Sequence, residues 1–190
     1  MSDETWGDAE QAAWRKAKTA PRPNLEVIVQ SSAPPLWANC KAQVQHKGDT
    51  CGVTSCAVVI NWLVNKNYTD EDLLAKYGYG LLTALNTELN GHYHYSDTGN
   101  TGRITEQMWP AIEHRARNGI PTIMGLNTPY SITGRGHVVC VFKVEGEIVT
   151  YTDSAEGPDG HIRTTTKKQI ETCALYPNGN FVLLGDKVAK

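Results

Sequence analysis

Apolar residues recur at helical spacing along the segment CGVTSCAVVINWLVNK, which starts at residue 51. The members of the repeat occupy positions i, i+3, i+4 and i+7: Cys56, Val59, Ile60 and Leu63. Asp49 and Thr50 directly precede the segment, and both residue types cap helix N-termini. The pattern therefore predicts a central, largely buried helix that begins at Cys51.

Further helices and then strands are predicted along the rest of the chain. The expected helices cover residues 69–76, 81–89, 105–118 and 167–176. The expected strands cover residues 120–126, 137–144, 147–153, 161–166 and 181–184. A Gly- and Asn-rich stretch, residues 91–103, is predicted to be a loop. Helices that precede a set of antiparallel strands are typical of the α+β class.

The chain is predicted to hold one folded domain. Its 190 residues suffice for a single compact domain and leave little room for two. Residues 1–36 differ from the rest, because an alanine-rich helical candidate is followed there by several prolines. We interpret residues 1–36 as an N-terminal arm and residues 37–190 as the domain.

Charge and hydropathy exclude several kinds of partner. A formal net charge of −2 gives no strong field toward nucleic acid or anionic lipid. Apolar runs such as Cys56–Ile60 are far shorter than the roughly 20 residues that cross a bilayer. The first thirty residues lack the layout of a secretory signal.

We expect a protein that is made in the cytoplasm and then released by lysis or by a non-classical secretion system. A monomer is the expected form, with the oligomeric state left open.

One of the five cysteines stands at the predicted helix start. An odd number at modest density argues against a disulfide scaffold. At Cys51, unpaired backbone N–H groups and the helix dipole favour a thiolate, the form needed for nucleophilic catalysis. Cys56 and Cys140 lie among apolar neighbours and are expected to be buried structural thiols. Cys40 and Cys173 remain ambiguous.

His137 is the candidate general base, and the hairpin after it supplies a carboxylate. A three-residue loop over residues 144–146 is predicted, with Gly146 in the left-handed position and Lys143 opposite Glu147. In that register His137 lies directly opposite Asp153 on one face, whereas a two-residue loop would separate them. An imidazole beside a carboxylate forms the base and orienting group of a catalytic triad.

Gln45 is the candidate oxyanion donor. It stands six residues before Cys51, from where a side-chain amide N–H could join the backbone N–H of Cys51 in holding a tetrahedral oxyanion. The nearby Gln43 is the alternative for this role.

These motifs together resemble a known family. The segment QHKGDTCG, residues 45–52, is similar to the Gln-x5-Cys-Gly nucleophile segment of papain-like cysteine peptidases. It is closest to the free-standing relatives of the bacteriocin-leader-processing (double-glycine) peptidases. NGIPTIMGL resembles a strand of that branch, and GHVVCVFKVEGEIVTYTDSAEG resembles its His strand, hairpin and Asp-Pro ending. Ser154 stands where the branch usually has proline.

The resemblance implies a papain-like α+β fold, in which a central helix that carries the nucleophile packs on an antiparallel sheet. It implies a thiol-dependent hydrolase that cleaves peptide or amide bonds through an acyl-enzyme, with no cofactor and no metal. Cys51, His137, Asp153 and Gln45 are the expected catalytic residues. The substrate would be a protein or the peptide crosslinks of peptidoglycan, as for a phage lysis enzyme or a delivered bacterial toxin. Residues 91–103, including Tyr93 and Tyr95, and residues 129–135 could line its groove.

Three other readings stay open. A deamidase or acyl transferase would use the same triad on glutamine side chains. A non-catalytic binding module would keep the pocket for recognition only. A zinc site from His92 and His94 with Cys51 and Cys56 is disfavoured, because the sequence has no C-x2-C pair.

Overall fold

A computed structural model describes residues 40–99, 104–126, 136–155, 161–172 and 182–189. The predicted arm over residues 1–36, the groove candidate over residues 129–135, and Cys173 lie outside these ranges.

The central helix, α1, spans Cys51–Val64 and starts at the predicted residue. Its first two and a half turns are buried almost all round, since every residue from Gly52 to Ile60 is buried. The helix ends at Asn65, whose φ of 53° places it in the left-handed region common at helix C-termini.

Two short helices follow and pack against α1. They are α2, Asp70–Tyr77, and α3, Leu81–Glu88. A capping box between Thr69 and Asp72 starts α2. A 3₁₀ turn, Glu106–Met108, leads into α4, Trp109–Arg117, and α5 covers Lys167–Thr172. Within the described ranges, no helix is both long and apolar enough to cross a membrane.

Six strands form an antiparallel sheet in the described part of the chain. Their spatial order is β1-β6-β2-β3-β4-β5. The bounds are β1 Tyr93–Asp97, β2 Thr122–Leu126, β3 His137–Glu145, β4 Ile148–Asp153, β5 His161–Thr166 and β6 Val182–Lys187.

Two hydrophobic clusters lie on opposite faces of this sheet. In β3, Cys140 and Phe142 pack with α1 in one cluster, whereas Val139 and Val141 join α4 in the other. This alternation is the period-2 pattern expected of a strand buried on both faces. The sheet is therefore the middle layer, and α1 covers one side of it.

Strand β1 corrects the prediction of a loop over residues 91–103. Tyr93–Asp97 pair with β6 along their full length. Tyr95 is the one buried residue of this strand, and its hydroxyl donates to the Pro121 carbonyl at 2.8 Å. A Cβ on the opposite residue, Gly185, would come within 2.4 Å of the Tyr95 ring, so that position needs glycine. Tyr95 is thus a core residue and does not line a groove.

The turn between β3 and β4 also differs from the prediction. Two residues, Gly146 and Glu147, form it, and Glu145 pairs with Ile148. Gly146 has a φ of +56°, which fits the first central position of a type II′ turn. The predicted three-residue loop and the pairing of Lys143 with Glu147 are therefore wrong. The ammonium of Lys143 instead lies 2.8 Å from the carboxylate of Glu145.

A β-bulge in β3 compensates for the shorter turn. The register shifts by one residue between Val141 and Lys143, and beyond it Cys140 pairs with Thr152. Because a one-residue shift moves side chains to the other face, the bulge returns His137 and Asp153 to the same face. The two residues are diagonal neighbours in this register, not directly opposite as predicted.

Candidate active site

Cys51 is more accessible than the other described cysteines. Its side chain is partly exposed at the start of α1, whereas Cys40, Cys56 and Cys140 are buried. Burial raises the pKa of the Cys40 thiol to about 12, and it raises the pKa values of Cys56 and Cys140 further above their ordinary value. These three thiols are therefore held in the protonated, unreactive form.

Backbone groups of β3 lie against the Cys51 thiol. The amide of Val138 donates to Sγ at 3.4 Å, and such a donor stabilises negative charge on sulfur. Ser55, one turn along α1, has its Oγ 2.9 Å from the Cys51 carbonyl and 3.3 Å from the Val138 carbonyl. Ser55 thereby ties the helix start to the residue next to His137. The sequence analysis did not identify Ser55, although its spacing of four from Cys51 places it on the same helix face.

His137 and Asp153 form a buried pair. Nε2 of His137 lies 3.0 Å from Oδ1 of Asp153, and the two residues are 4% and 0% exposed. The side chain of Cys51 also interacts with the imidazole and contributes to its pKa. With Nε2 directed at Asp153, Nδ1 is the ring nitrogen that remains for another partner. Burial alone would lower the pKa of His137, but its hydrogen bonds with Asp153 and Cys51 and their charges raise it to about 9.

Asp153 is itself held by two further groups. Its Oδ1 accepts the backbone N–H of Ala155 at 3.0 Å, and Nε of Arg163 lies 3.3 Å from Oδ2. Arg163 pairs with Tyr151 across β4 and β5, two residues along from Asp153. The sequence analysis missed Arg163 because its role depends on the β4–β5 register, which no local pattern defines. Arg163 thus places a positive charge beside the buried carboxylate.

Gln45 lies beside the end of β4. It is 3% exposed, and its backbone N–H donates to the Ser154 carbonyl at 2.9 Å. Its Oε1 accepts the Ser154 hydroxyl at 2.9 Å, and its Nε2 donates to the Lys47 carbonyl at 2.7 Å. In the described part of the chain, the hydrogen bonds of Gln45 thus go to these two residues rather than to Cys51 or His137. A second hydrogen on Nε2 remains for another acceptor.

The structure gives Gln43 a different position. Its Nε2 donates to the backbone carbonyl of Tyr68 at 3.1 Å, at the entry to α2. Gln45, in contrast, contacts the residue that directly follows Asp153. Of the two glutamines, Gln45 is therefore the one connected to the end of the His137–Asp153 pair.

Thr50 is the N-cap residue of α1, as predicted, but its side chain does not cap the helix. Its hydroxyl donates instead to Oδ2 of Asp70 at 2.7 Å. Asp70, the first residue of α2, was not identified from the sequence, since a carboxylate at that place is also the ordinary acidic residue of a first helical turn.

Cys51, His137 and Asp153 thus lie together at the meeting point of α1, β3 and β4, and Gln45 contacts the residue that follows Asp153. Residues 37–178 match the sequence profile of the Peptidase_C39 like family. The chain belongs to this family. It is a cysteine peptidase of the papain-like superfamily, which confirms the resemblance found in the sequence.

A solved structure supports the fold of this C39-like peptidase. It is that of a protein from Bacillus anthracis titled a "putative C39-like peptidase", with a TM-score of 0.60 and 11% sequence identity. The match covers 80% of this chain and 96% of the other. The predicted papain-like α+β fold is confirmed. No curated protein sequence matches this chain.

Proposed function

We propose that this peptidase cleaves peptide bonds with Cys51 as nucleophile, His137 as general base and acid, and Asp153 as the orienting carboxylate. The observation that supports this most is the uninterrupted series of contacts. A partly exposed thiol interacts with a buried imidazole, and that imidazole lies 3.0 Å from a buried carboxylate. Each residue thereby has the neighbour that its role in a triad requires.

In the proposed reaction, His137 takes the proton of Cys51 and the thiolate attacks the peptide carbonyl. The carbonyl carbon becomes tetrahedral and its oxygen becomes an oxyanion. The backbone N–H of Cys51 and the second amide hydrogen of Gln45 stabilise that oxyanion. His137 then protonates the leaving amine, and water hydrolyses the thioester with His137 as the base.

The proton position follows from the surroundings of His137. With its pKa raised to about 9, the imidazole is protonated at neutral pH when it pairs with the thiolate. It is therefore ready to donate to the leaving amine as soon as the tetrahedral adduct forms. Asp153 keeps Nε2 protonated, which leaves Nδ1 to exchange the proton with sulfur and substrate.

We propose two substrate classes that share the scissile amide: proteins and the peptide crosslinks of peptidoglycan. Mass spectrometry of both materials, incubated side by side with the wild type and with Cys51→Ala, distinguishes them. New peptide termini that appear only with the wild type would identify the substrate. A glutamine-to-glutamate mass change without chain cleavage would contradict peptide-bond cleavage and favour the deamidase. Equal cleavage by Cys51→Ala would refute the assigned nucleophile.

A further inference from the structure

A buried carboxylate lies beneath the segment that links Gln45 to Cys51. Asp70 is 1% exposed, and its Oδ2 accepts the backbone N–H of His46 at 2.9 Å. The same oxygen lies 2.7 Å from the hydroxyl of Thr50 and 3.3 Å from that of Thr54. The imidazole Nδ1 of His46 contacts Oδ1. We propose that Asp70 is a positioning residue, which sets the distance between the oxyanion donor Gln45 and the nucleophile Cys51.

The contacts of Asp70 fall on both ends of this segment. His46 directly follows Gln45, and Thr50 directly precedes Cys51. One carboxylate oxygen therefore holds the backbone N–H next to the amide donor and the side-chain hydroxyl next to the thiol. The Lys47 carbonyl closes the same turn, since it accepts the Gln45 side chain at 2.7 Å and the Thr50 backbone N–H at 3.3 Å.

The charge of Asp70 makes these contacts strong. Burial alone would raise the pKa of Asp70, but the hydrogen bonds from His46 and Thr50 outweigh that effect and lower it. The carboxylate is then ionised at neutral pH, and hydrogen bonds to an ionised acceptor are about twice as strong as neutral ones. An error of about 1 Å in a catalytic group can cost roughly 100-fold in rate, so a rigid anchor at this place affects catalysis.

Helix α2 does not need Asp70 as its cap. The capping box between Thr69 and Asp72 already satisfies its first turn. The neighbouring Glu71 is 65% exposed at its side chain and lies 3.3 Å from the outer ring nitrogen of His46. Glu71→Gln is therefore a matched control, because it removes a charge from the same turn without touching the buried contacts.

The test is a double-mutant cycle, and its kinetic part rests on the proposed function. Asp70→Asn should lower kcat by roughly 10- to 100-fold with KM changed less than about threefold. In the Gln45→Ala background, the same substitution should lower kcat by less than about threefold, because the group that Asp70 positions is then missing. Glu71→Gln should behave as the wild type. Equal losses in the two backgrounds would overturn the inference.

Hydrogen–deuterium exchange of the peptide that covers residues 45–50 provides a readout without substrate. Asp70→Asn should increase exchange at the His46 amide, and the folded state is checked by circular dichroism. If Asp70→Asn does not fold, Thr50→Val, which removes one of the contacts, takes its place in both measurements. Unchanged exchange would refute the positioning role. If exchange increases in Asp70→Asn but the wild type cleaves no peptide, only the proposed function is refuted.

Discussion

At the scale of single residues, the surroundings of each cysteine thiol determine whether it can react. Four cysteines lie in the described ranges, yet three are buried and kept protonated while Cys51 reaches the surface at a helix start. Position in the fold, rather than residue type, therefore distinguishes the proposed nucleophile from the other described cysteines.

Alanine substitutions of Cys51 and Cys56 should separate the catalytic role from the structural one. Cys51→Ala should abolish turnover and leave the fold intact, because the thiol is partly exposed and packs little. Cys56→Ala should keep activity and reduce the free energy of unfolding by about 1–2 kcal/mol through lost packing. Urea unfolding and turnover of both variants check this. Faster labelling of Cys56 or Cys140 than of Cys51 by iodoacetamide at neutral pH would show that the nucleophile is misassigned.

Gln45 is expected to act on the transition state rather than on substrate binding. Gln45→Ala should lower kcat by roughly 10²–10³-fold with little change in KM, as removal of an oxyanion donor does. Gln43→Ala is the control, since the Gln43 amide donates to the Tyr68 carbonyl instead. A loss confined to KM would move Gln45 to ordinary substrate binding, and equal damage from Gln43→Ala would remove the distinction between them.

Local sequence reasoning finds residues whose signal lies in their own neighbourhood. Cys51 carries its signal in the helix that follows, and His137 and Asp153 carry theirs in one hairpin. Asp70 and Arg163 have no such local signal, because each contacts residues outside its own helix or strand. Their importance arises from burial and register, which only the folded chain provides.

At the scale of elements, the β3–β4 hairpin shows how two irregularities combine. The two-residue turn alone would place His137 and Asp153 on opposite faces, and the bulge between Val141 and Lys143 reverses that. Sequence patterns located both strands closely but not the bulge, since Val, Phe and Lys there carry no turn signal. Strand β1 escaped for a related reason, because only Tyr95 among its five residues is buried.

Gly146 offers a test of the turn. A Cβ at this position would meet nothing within 4 Å, so the strain in Gly146→Val would come from its φ of +56° alone. We expect a loss of about 1–2 kcal/mol in the free energy of unfolding, and thus a Tm lower by roughly 2–8 °C. Gly146→Asn, which tolerates positive φ better, should lose less. Thermal unfolding measures both, and equal losses for Val and Asn would contradict the conformational explanation.

At the scale of the whole molecule, the paired imidazole makes stability depend on pH. The pKa of His137 is raised from 6.5 in its ordinary state to about 9 in the fold. Between these two pKa values, the folded state keeps the proton on His137, whereas the unfolded chain has released it. The stabilisation is complete below about pH 6.5 and is lost as the pH rises through about 9.

Asp153→Asn should remove most of this dependence, because the charge and hydrogen bond of Asp153 raise the pKa of His137. The free energy of unfolding of the wild type, measured in urea, should fall between pH 6.5 and 9. That of Asp153→Asn should start lower and change less over the same range, while its turnover falls strongly. A slope as steep as that of the wild type would show that other groups cause the pH dependence.

The position of β6 determines when the sheet can be completed during synthesis. This strand, residues 182–187, lies between β1 and β2, which precede it by more than fifty residues in the chain. In the sheet as formed by the described residues, β1 pairs with β6 alone, so on the ribosome β1 lacks this partner, and one edge of β2 stays open, until β6 has left the exit tunnel. The sheet beneath α1 is therefore completed only after residues 182–187 have been released. A nascent chain that has not yet released β6 lacks a finished sheet beneath the proposed catalytic residues, so these residues gain their rigid support only at that point.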